Sequence, residues 1–326
     1  MKLKMILKRY INRLPEQIKN PLCDAYIDIK YPEMREIKKS FGAKNPESTF
    51  YVIRPLSNSV EGLMSLLYNV LLHISYAEQK GYIPVVDFLN YKTQYNVDNE
   101  NVWEIFFNQP TQYSLEEAYQ SRNVIISGMA ARRKAYQYLQ HRSCDEDNIR
   151  ETQRFLKKYI KCSTVVKSTL ENEEKIIHPE NCVGLYLRGT DYTSLRPSGE
   201  PRQPSVNEAL EKVKLYQNKY KTETVFLVTE DESIYNEVKA KLGKNLRIVS
   251  FDAFIKKYDS NDFLAKDGSL DQISTDKHVR GINYLAKILL LSKCKCIVGG
   301  RTSGSWAACA FADQDTELEI FRLGEY

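Results

Sequence analysis

The sequence predicts an α/β fold of two halves, each built on a mostly parallel sheet, facing each other across a cleft. Three observations carry this. Short apolar runs rich in β-branched and aromatic residues alternate with longer segments of helical period. The segment joining the first two strands, "SNSVEGLMSLLYNVLLHISYAEQKG" (57–81), is too long for a hairpin, so the strands it connects run parallel. The alternation then occurs twice, and 326 residues are enough for two cores.

Taken in order, residues 1–17, "MKLKMILKRYINRLPEQ", place Leu3, Leu7, Tyr10 and Leu14 at helical spacing among Lys2, Lys4, Lys8, Arg9 and Arg13. Such a basic amphipathic segment either lies in a membrane interface beside anionic lipid or packs on the protein's own surface. Residues 18–47 show no clear period and read as loop. The expected strands of the first half are "TFYVIRP" (49–55), "YIPVVDF" (82–88) and "NVIISG" (123–128). A helix ending at Gly81 separates the first two, and "NVWEIFF" (101–107) reads as a short helix. Residues 145–177 read as one long helical stretch closing this half. The second half has expected strands at 182–188, 224–229, 246–251 and 294–300, with helices over "SVNEALEKVKLYQNKY", "DESIYNEVKAKLG", "KHVRGINYLAKILLLSK" and "SWAACAF". The reading is therefore an N-terminal extension (1–47), a first Rossmann-like domain (48–180) and a second one (181–326).

Apolar residues make up 42% and charged residues 27% of the chain, the balance of a folded globular protein. The net charge of +5 suits an anionic ligand without demanding nucleic acid, and the basic run "ARRKAYQYLQHR" (131–142) reads as one solvated helix face. No apolar run of about eighteen residues is present, so no transmembrane helix is expected. The start lacks a secretory cleavage pattern. Seven scattered cysteines without a CxxC pair, and four separated histidines, point to reduced thiols in a cytoplasm and to no zinc site. The 22 tyrosines suit either sugar binding or a half-buried core.

Chemistry collects where strands end, which is where ligands of open α/β sheets sit. After the first strand of the second half come Arg188, Gly189, Thr190 and Asp191. Arginine presents a planar fork of donors matched to phosphate oxygens, and Asp191 suits a sugar hydroxyl or a base; the alternative is that Arg188 and Asp191 pair with each other. After the second strand, Thr229, Glu230, Asp231 and Glu232 suit a helix cap, with one carboxylate left for a ribose. Asp276, His278 and Arg280 enter a helix and face either a ligand or solvent. Last is "VGGRTSGSW" (298–306), a glycine-rich turn before a helix. Its backbone, with Arg301, Thr302, Ser303 and Ser305, suits a phosphate; a small-residue turn with no ligand is the other reading. It matches neither a dinucleotide nor a Walker motif.

The second half resembles the GT-B fucosyltransferases of the α1,2, α1,6 and protein-O-fucosyl types. "YLRGTD" is similar to their His-x-Arg-Arg-x-Asp strand end, with Tyr186 at the histidine and Gly189 at the second arginine. "VFLVTEDESIYNEVKAKLG" and "VRGINYLAKILLLSKCKCIVGGRTSGSWAACAF" resemble their following strand–helix units, with Lys287 where an aspartate is common. The likeness covers about 180–312, and more weakly 49–90. It implies a GT-B enzyme that moves a sugar from a nucleotide diphosphate sugar, GDP-fucose first, onto a glycan or lipid-linked glycan hydroxyl, with inversion and without metal or other cofactor. Arg188 would neutralise the leaving phosphate, and Asp191 or Glu200 would take the acceptor proton. Tyr186, Thr190, Glu230, Asp231, His278, Arg280, Arg301, Thr302, Ser303 and Ser305 would hold the donor. The expected setting is surface-glycan synthesis in the cytoplasm, with residues 1–17 as the candidate peripheral membrane contact. Two other readings stay open: a silent nucleotide- or glycan-binding protein, and a transferase of another nucleotide sugar.

Overall fold

The structure, a computed structural model, describes residues 15–56, 61–97, 99–140, 142, 144–259, 261–266 and 268–326. Residues 1–14, most of the expected basic amphipathic segment, lie outside them. The first half comprises α1 (Glu16–Lys30), β1 (Ile37–Lys39), β2 (Lys44–Ile53), α2 (Leu63–Lys80), β3 (Ile83–Val86), α3 (Val102–Phe106), α4 (Leu115–Ala118), β4 (Ser121–Ile126), α5 (Glu146–Tyr159) and α6 (Thr164–Ile177). The second half comprises β5 (Val183–Tyr186), α7 (Asp191–Ser194), α8 (Val206–Tyr220), β6 (Val225–Val228), α9 (Glu232–Leu242), β7 (Leu246–Arg247), α10 (Lys277–Ser292), β8 (Cys296–Gly300), α11 (Ser303–Phe311) and β9 (Glu317–Phe321).

Each half builds one sheet. The first has the order β1-β4-β2-β3; β2 runs parallel to both neighbours, and only β1 is antiparallel, at the edge. The second has the order β7-β6-β5-β8-β9 and is parallel throughout. The α/β class expected from the alternation is therefore the one observed. Strands β5, β6 and β8 are buried at every residue, because helices cover both faces of a parallel sheet and leave no polar side. Helix α2 is buried almost continuously from Leu63 to Ala77 and ends at Gly81, whose φ of 67° and amide bonds to Ala77 and Glu78 close the last turn. Helix α8 starts in a capping box between Ser205 and Glu208.

The two halves share a core. One apolar cluster runs from Tyr51 and Leu67 through Ile288 and Leu290 to Trp306. Helix α11 packs on α2 and α5, and α10 packs on α3 and α6, so helices from either side of residue 181 interlock. In the second sheet the order reverses between β5 and β8. The chain leaves β5 toward β6 on one side and returns to β8 on the other, which opens a crevice at their carboxyl ends.

Four expectations change. Residues 18–47 are not loop: they hold α1, β1 and the start of β2. Pro21 inside α1 and the polar opening of β2 (Lys44 to Ser48), with a register shift before Thr49, hid both periods. The helical stretch 145–177 is two helices. Cys162 pairs with Phe107 in an isolated bridge, and the Ser163 hydroxyl accepts from the Val166 amide to start α6. The strand at 246–251 stops at Arg247, because Ser250 turns to bond the Glu173 carboxylate through its amide (2.8 Å) and hydroxyl. The described residues of 131–142 include 3-10 turns over 129–134 and 137–139, with Ala131 and Leu139 buried, not a solvated helix face.

Candidate functional site

A cavity of about 410 Å³, within the range of small-molecule sites, opens at the β5/β8 crevice. Its walls come from both halves. Glu61, Ser65, Gln94, Tyr95 and Arg142 precede residue 181; Tyr186, Arg188, Glu230, Thr302, Ser303 and Gly304 follow it.

Arg188 is placed by β5. The ladder runs one residue past the strand, Leu187 donating its amide to Val228 O at 3.1 Å, and the next side chain emerges over the crevice. There its guanidinium meets Asp191 (2.8 Å) and Glu230 (3.3 Å) and stacks over the Tyr192 ring at 5.5 Å. Burial alone would lower its pKa, but the two carboxylates outweigh that and raise it, so Arg188 stays charged. The Arg188–Asp191 pair that the sequence offered as an alternative is thus formed, with a second carboxylate beside it.

The turn after Arg188 is held by the β6–α9 loop. Glu230 accepts from the Gly189 amide and the Thr190 hydroxyl, both at 3.0 Å, and Asp231 accepts from the Thr190 amide at 3.0 Å. Thr190 has φ 47° and ψ −118°, an unfavourable backbone for a β-branched residue, which these bonds enforce. Gly189 is required here: a Cβ on it would sit 2.3 Å from the Asp231 carboxylate. An arginine, as in the resembling enzymes, could not occupy 189 without displacing Asp231. Asp231 also caps α9 through the Ser233 and Ile234 amides. Burial works against its charge, and these donors together with the Ser233 hydroxyl outweigh burial and lower its pKa.

The glycine-rich turn after β8 becomes the N-terminus of α11. Thr302 and Ser305 form a capping box, and Ser305 also donates to Gly300 O at 2.6 Å. The cap takes the Ser305 amide and the turn takes that of Trp306, leaving Ser303 and Gly304 to present first-turn N–H groups at the cavity wall. Gly304 is packed so closely that a Cβ would lie 2.3 Å from the Tyr186 hydroxyl and 2.6 Å from that of Tyr284.

Of the residues singled out in the sequence, Tyr186, Arg188, Asp191, Glu200, Glu230, Arg280, Thr302 and Ser303 line this cavity, whereas Thr190, Asp231, His278 and Ser305 do not. Arg280 is buried and tied to Asp271 (2.9 Å) and to Ser274 O (2.8 Å). Arg301 pairs with Glu325 at 3.1 Å and lines an adjoining cavity of about 560 Å³. The two cavities share Arg142, Tyr192, Glu200, Thr302 and Ser303. At that junction the Tyr192 hydroxyl donates to Glu200 at 3.0 Å. The Asp191 carboxylate is fully engaged, accepting from Arg188, Thr190, Tyr192 N and Leu264 N.

Sequence reasoning missed Arg142, which sat inside a run taken for a solvated face, and the polar α10 residues Asn283 and Tyr284. For α10 the signal was available: Arg280, Asn283, Tyr284 and Lys287 recur at helical spacing and share one face. Lys287 bonds Asp252 at 2.7 Å with both side chains buried; burial raises the Asp252 pKa against the pull of Lys287. Among the described residues, no group of three His, Cys, Asp or Glu side chains could hold a metal ion.

No protein-family model and no curated protein matches the chain. Solved structures do. A structure of NodZ alpha-1,6-fucosyltransferase co-crystallised with GDP is 14% identical, with a TM-score of 0.49 over 81% of this chain and 93% of that one. The fucosyltransferase NodZ from Bradyrhizobium gives 14%, 0.44, 80% and 92% in the same order. A mutant of Arabidopsis thaliana FUT1 in complex with GDP gives 8%, 0.44, 92% and 75%.

Proposed function

We propose that the crevice binds a nucleotide diphosphate sugar and that the chain is a metal-independent, inverting glycosyltransferase acting on a glycan hydroxyl, with GDP-fucose as the first donor to test. One observation carries this: the arginine at the β5 tip and the amide-bearing start of α11 line the same cavity, at the point where the strand order reverses. The donor base fits the apolar wall of Phe251, Ala253 and Ile273, with Asn283 and Lys287 as polar contacts. The diphosphate fits between Arg188 and the Ser303–Gly304 amides. The acceptor enters from the adjoining cavity, and Glu200, shared by both, is the base. In the transfer the acceptor oxygen bonds to the anomeric carbon, its proton passes to Glu200, and the carbon–phosphate-oxygen bond breaks. The electrons of that bond leave with the diphosphate, toward Arg188. Donors aimed at a charge that grows during the step lower its barrier.

The testing experiment is a thermal-shift panel of GDP, UDP, CMP, dTDP and ADP. GDP is expected to raise the midpoint with saturating dependence on concentration; a response to UDP or dTDP alone would replace the donor, and none to any of them would sink the reading. A binding protein without turnover is the second reading, favoured by the pairing of Arg188 with two carboxylates. Release of nucleoside diphosphate from GDP-fucose in the presence of acceptor separates the two.

The proposed setting is the cytoplasmic face of a membrane. Among the described residues, no helix is long and apolar enough to cross one. Ile18, Leu22, Tyr26 and Ile29 are 50–73% exposed and fall on one face of α1, an apolar stripe that follows a basic segment in the sequence. Co-sedimentation with vesicles rich in anionic lipid is expected to fall several-fold for Leu22→Ser/Tyr26→Ser; unchanged binding, or none by the parent, removes the membrane contact.

A further inference from the structure

We infer that Arg142 is a diphosphate-binding residue, delivering to the start of α11 the positive charge that Arg188 cannot supply alone. The inference rests on the nucleotide-sugar reading and concerns a residue that the sequence motifs do not mark.

Charge balance in the cleft points to it. Four arginines line the two cavities: Arg142, Arg188, Arg280 and Arg301. Arg188 faces Asp191 and Glu230, Arg280 faces Asp271, and Arg301 faces Glu325. Around Arg188 the local sum is one cation against two anions. A diphosphate placed there meets net negative charge unless another cation is near.

Two lysines also line the first cavity, Lys287 paired with Asp252 and Lys266 exposed; Arg142 is the cation held against the start of α11. Its Nη1 donates to Ser303 Oγ at 2.6 Å and its Nη2 to Ser65 Oγ at 2.9 Å, and its guanidinium lies over the Tyr68 ring, 4.4 Å from the centroid. Among the described residues, no carboxylate lies within ion-pair distance of it. Its direct partners are two neutral hydroxyls and a ring, and Glu61 is reached only through the Ser65 hydroxyl (3.5 Å), so the half-buried guanidinium has no direct counter-ion among the described residues and an anionic ligand completes it.

Its position fixes which anion. Ser303 is the first residue of α11, so the guanidinium is bonded to the side chain whose own amide, with that of Gly304, faces the cavity. Phosphate oxygens seated on those amides come within reach of the same fork, which suits two oxygens at once. In the proposed pose the second phosphate takes that seat and a nucleoside monophosphate ends before it, so the contribution of Arg142 is specific to the second phosphate.

The test is calorimetric titration of GDP, GMP and inorganic pyrophosphate into the full chain, its Arg142→Gln and Arg142→Lys variants, and Arg150→Gln, at a partly exposed arginine of α5, as control. Arg142→Gln is expected to weaken GDP and pyrophosphate by roughly 10- to 100-fold, the scale of a charged hydrogen-bond pair, and GMP by less than about twofold. Arg142→Lys is expected to recover part of the loss. Arg150→Gln, which removes an arginine outside both cavities, should bind GDP like the parent. Equal GDP and GMP losses, or a loss in Arg150→Gln matching that of Arg142→Gln, would mean no contact specific to the second phosphate and overturn the inference. GDP binding unchanged in Arg142→Gln overturns it while leaving the nucleotide-sugar reading intact. Arg142-dependent pyrophosphate binding without any nucleotide binding does the reverse, and a parent that binds none of the three overturns both.

Discussion

Arg188→Ala is expected to lower turnover by roughly two to four orders of magnitude, with kcat falling more than KM rises. The reason is the timing of charge. In the proposed donor complex the diphosphate already carries negative charge, and that part of the contact only tightens binding. As the anomeric bond breaks, a further charge develops on the leaving oxygen, and a donor preorganised toward it acts on the transition state alone. The pairing of Arg188 complicates the measurement in a foreseeable way. Removing the guanidinium leaves Asp191 and Glu230 without their common partner. A fully buried pair broken this way costs about 3–5 kcal/mol; with 19% of the Arg188 side chain exposed, about 2 kcal/mol of stability is the expected loss. Activity therefore has to be compared per folded molecule, well below the unfolding midpoint. Arg188→Lys separates the effects. It keeps a cation between the two carboxylates, so most of the stability should return, but it lacks the planar fork, so turnover should stay at least about tenfold down. Near-parental release of nucleoside diphosphate by folded Arg188→Ala would remove Arg188 from the mechanism.

How far the sequence could reveal this site depends on what each part of it is made of. The tip of β5 was legible because a buried parallel strand announces itself as an unbroken apolar run, and a charged residue directly after it has few places to go but the crevice. The start of α11 was legible for a similar reason: glycines and hydroxyl residues between a strand and a helix are both turn chemistry and phosphate chemistry. Glu230 and Asp231 could be read as a cap, which Asp231 is. Their second duty, fixing the strained Thr190 turn across the crevice, depends on β5 and β6 being neighbours, and no local pattern encodes that. Arg142 was illegible on principle. It lies on irregular chain with no period to give its direction, and its partners Ser65 and Ser303 are 77 and 161 residues away. Helix α1 failed for a different reason. Ile18, Leu22, Tyr26 and Ile29 do recur at helical spacing, but Pro21 and the surrounding polar residues masked the repeat, and the apolar face turned out to be the exposed one.

Trp306→Ala is expected to destabilise the chain by about 3–5 kcal/mol, a large share of the roughly 5–15 kcal/mol that holds a typical domain folded. Trp306 is 1% exposed and sits at the fourth position of α11, with its ring edge-on to Tyr68 of α2 at 5.1 Å. It thus joins a helix of the second half to one of the first. The cavity left by the indole has little prospect of refilling, because the buried residues that follow it on α11 are Ala307, Ala308, Cys309 and Ala310, which carry almost no volume to move. Trp306→Phe keeps an aromatic edge and should cost appreciably less. In denaturant unfolding the midpoint should shift with the slope unchanged, and a shift worth under about 1 kcal/mol would show that this contact does not anchor α11. The same substitution should reach the ligand. Tyr68 is the ring beneath the Arg142 guanidinium, and the first turn of α11 bears the Ser303 and Gly304 amides. Loosening Trp306 therefore disturbs both sides of the proposed diphosphate seat at once. A double-mutant cycle between Trp306→Ala and Tyr68→Ala measures the link: a coupling of about 0.5–1.5 kcal/mol is expected for an edge-on aromatic pair. If GDP affinity falls in Trp306→Ala, measured where the variant is fully folded, while GMP affinity holds, the disturbance has travelled through the seat of the second phosphate and not through the fold as a whole.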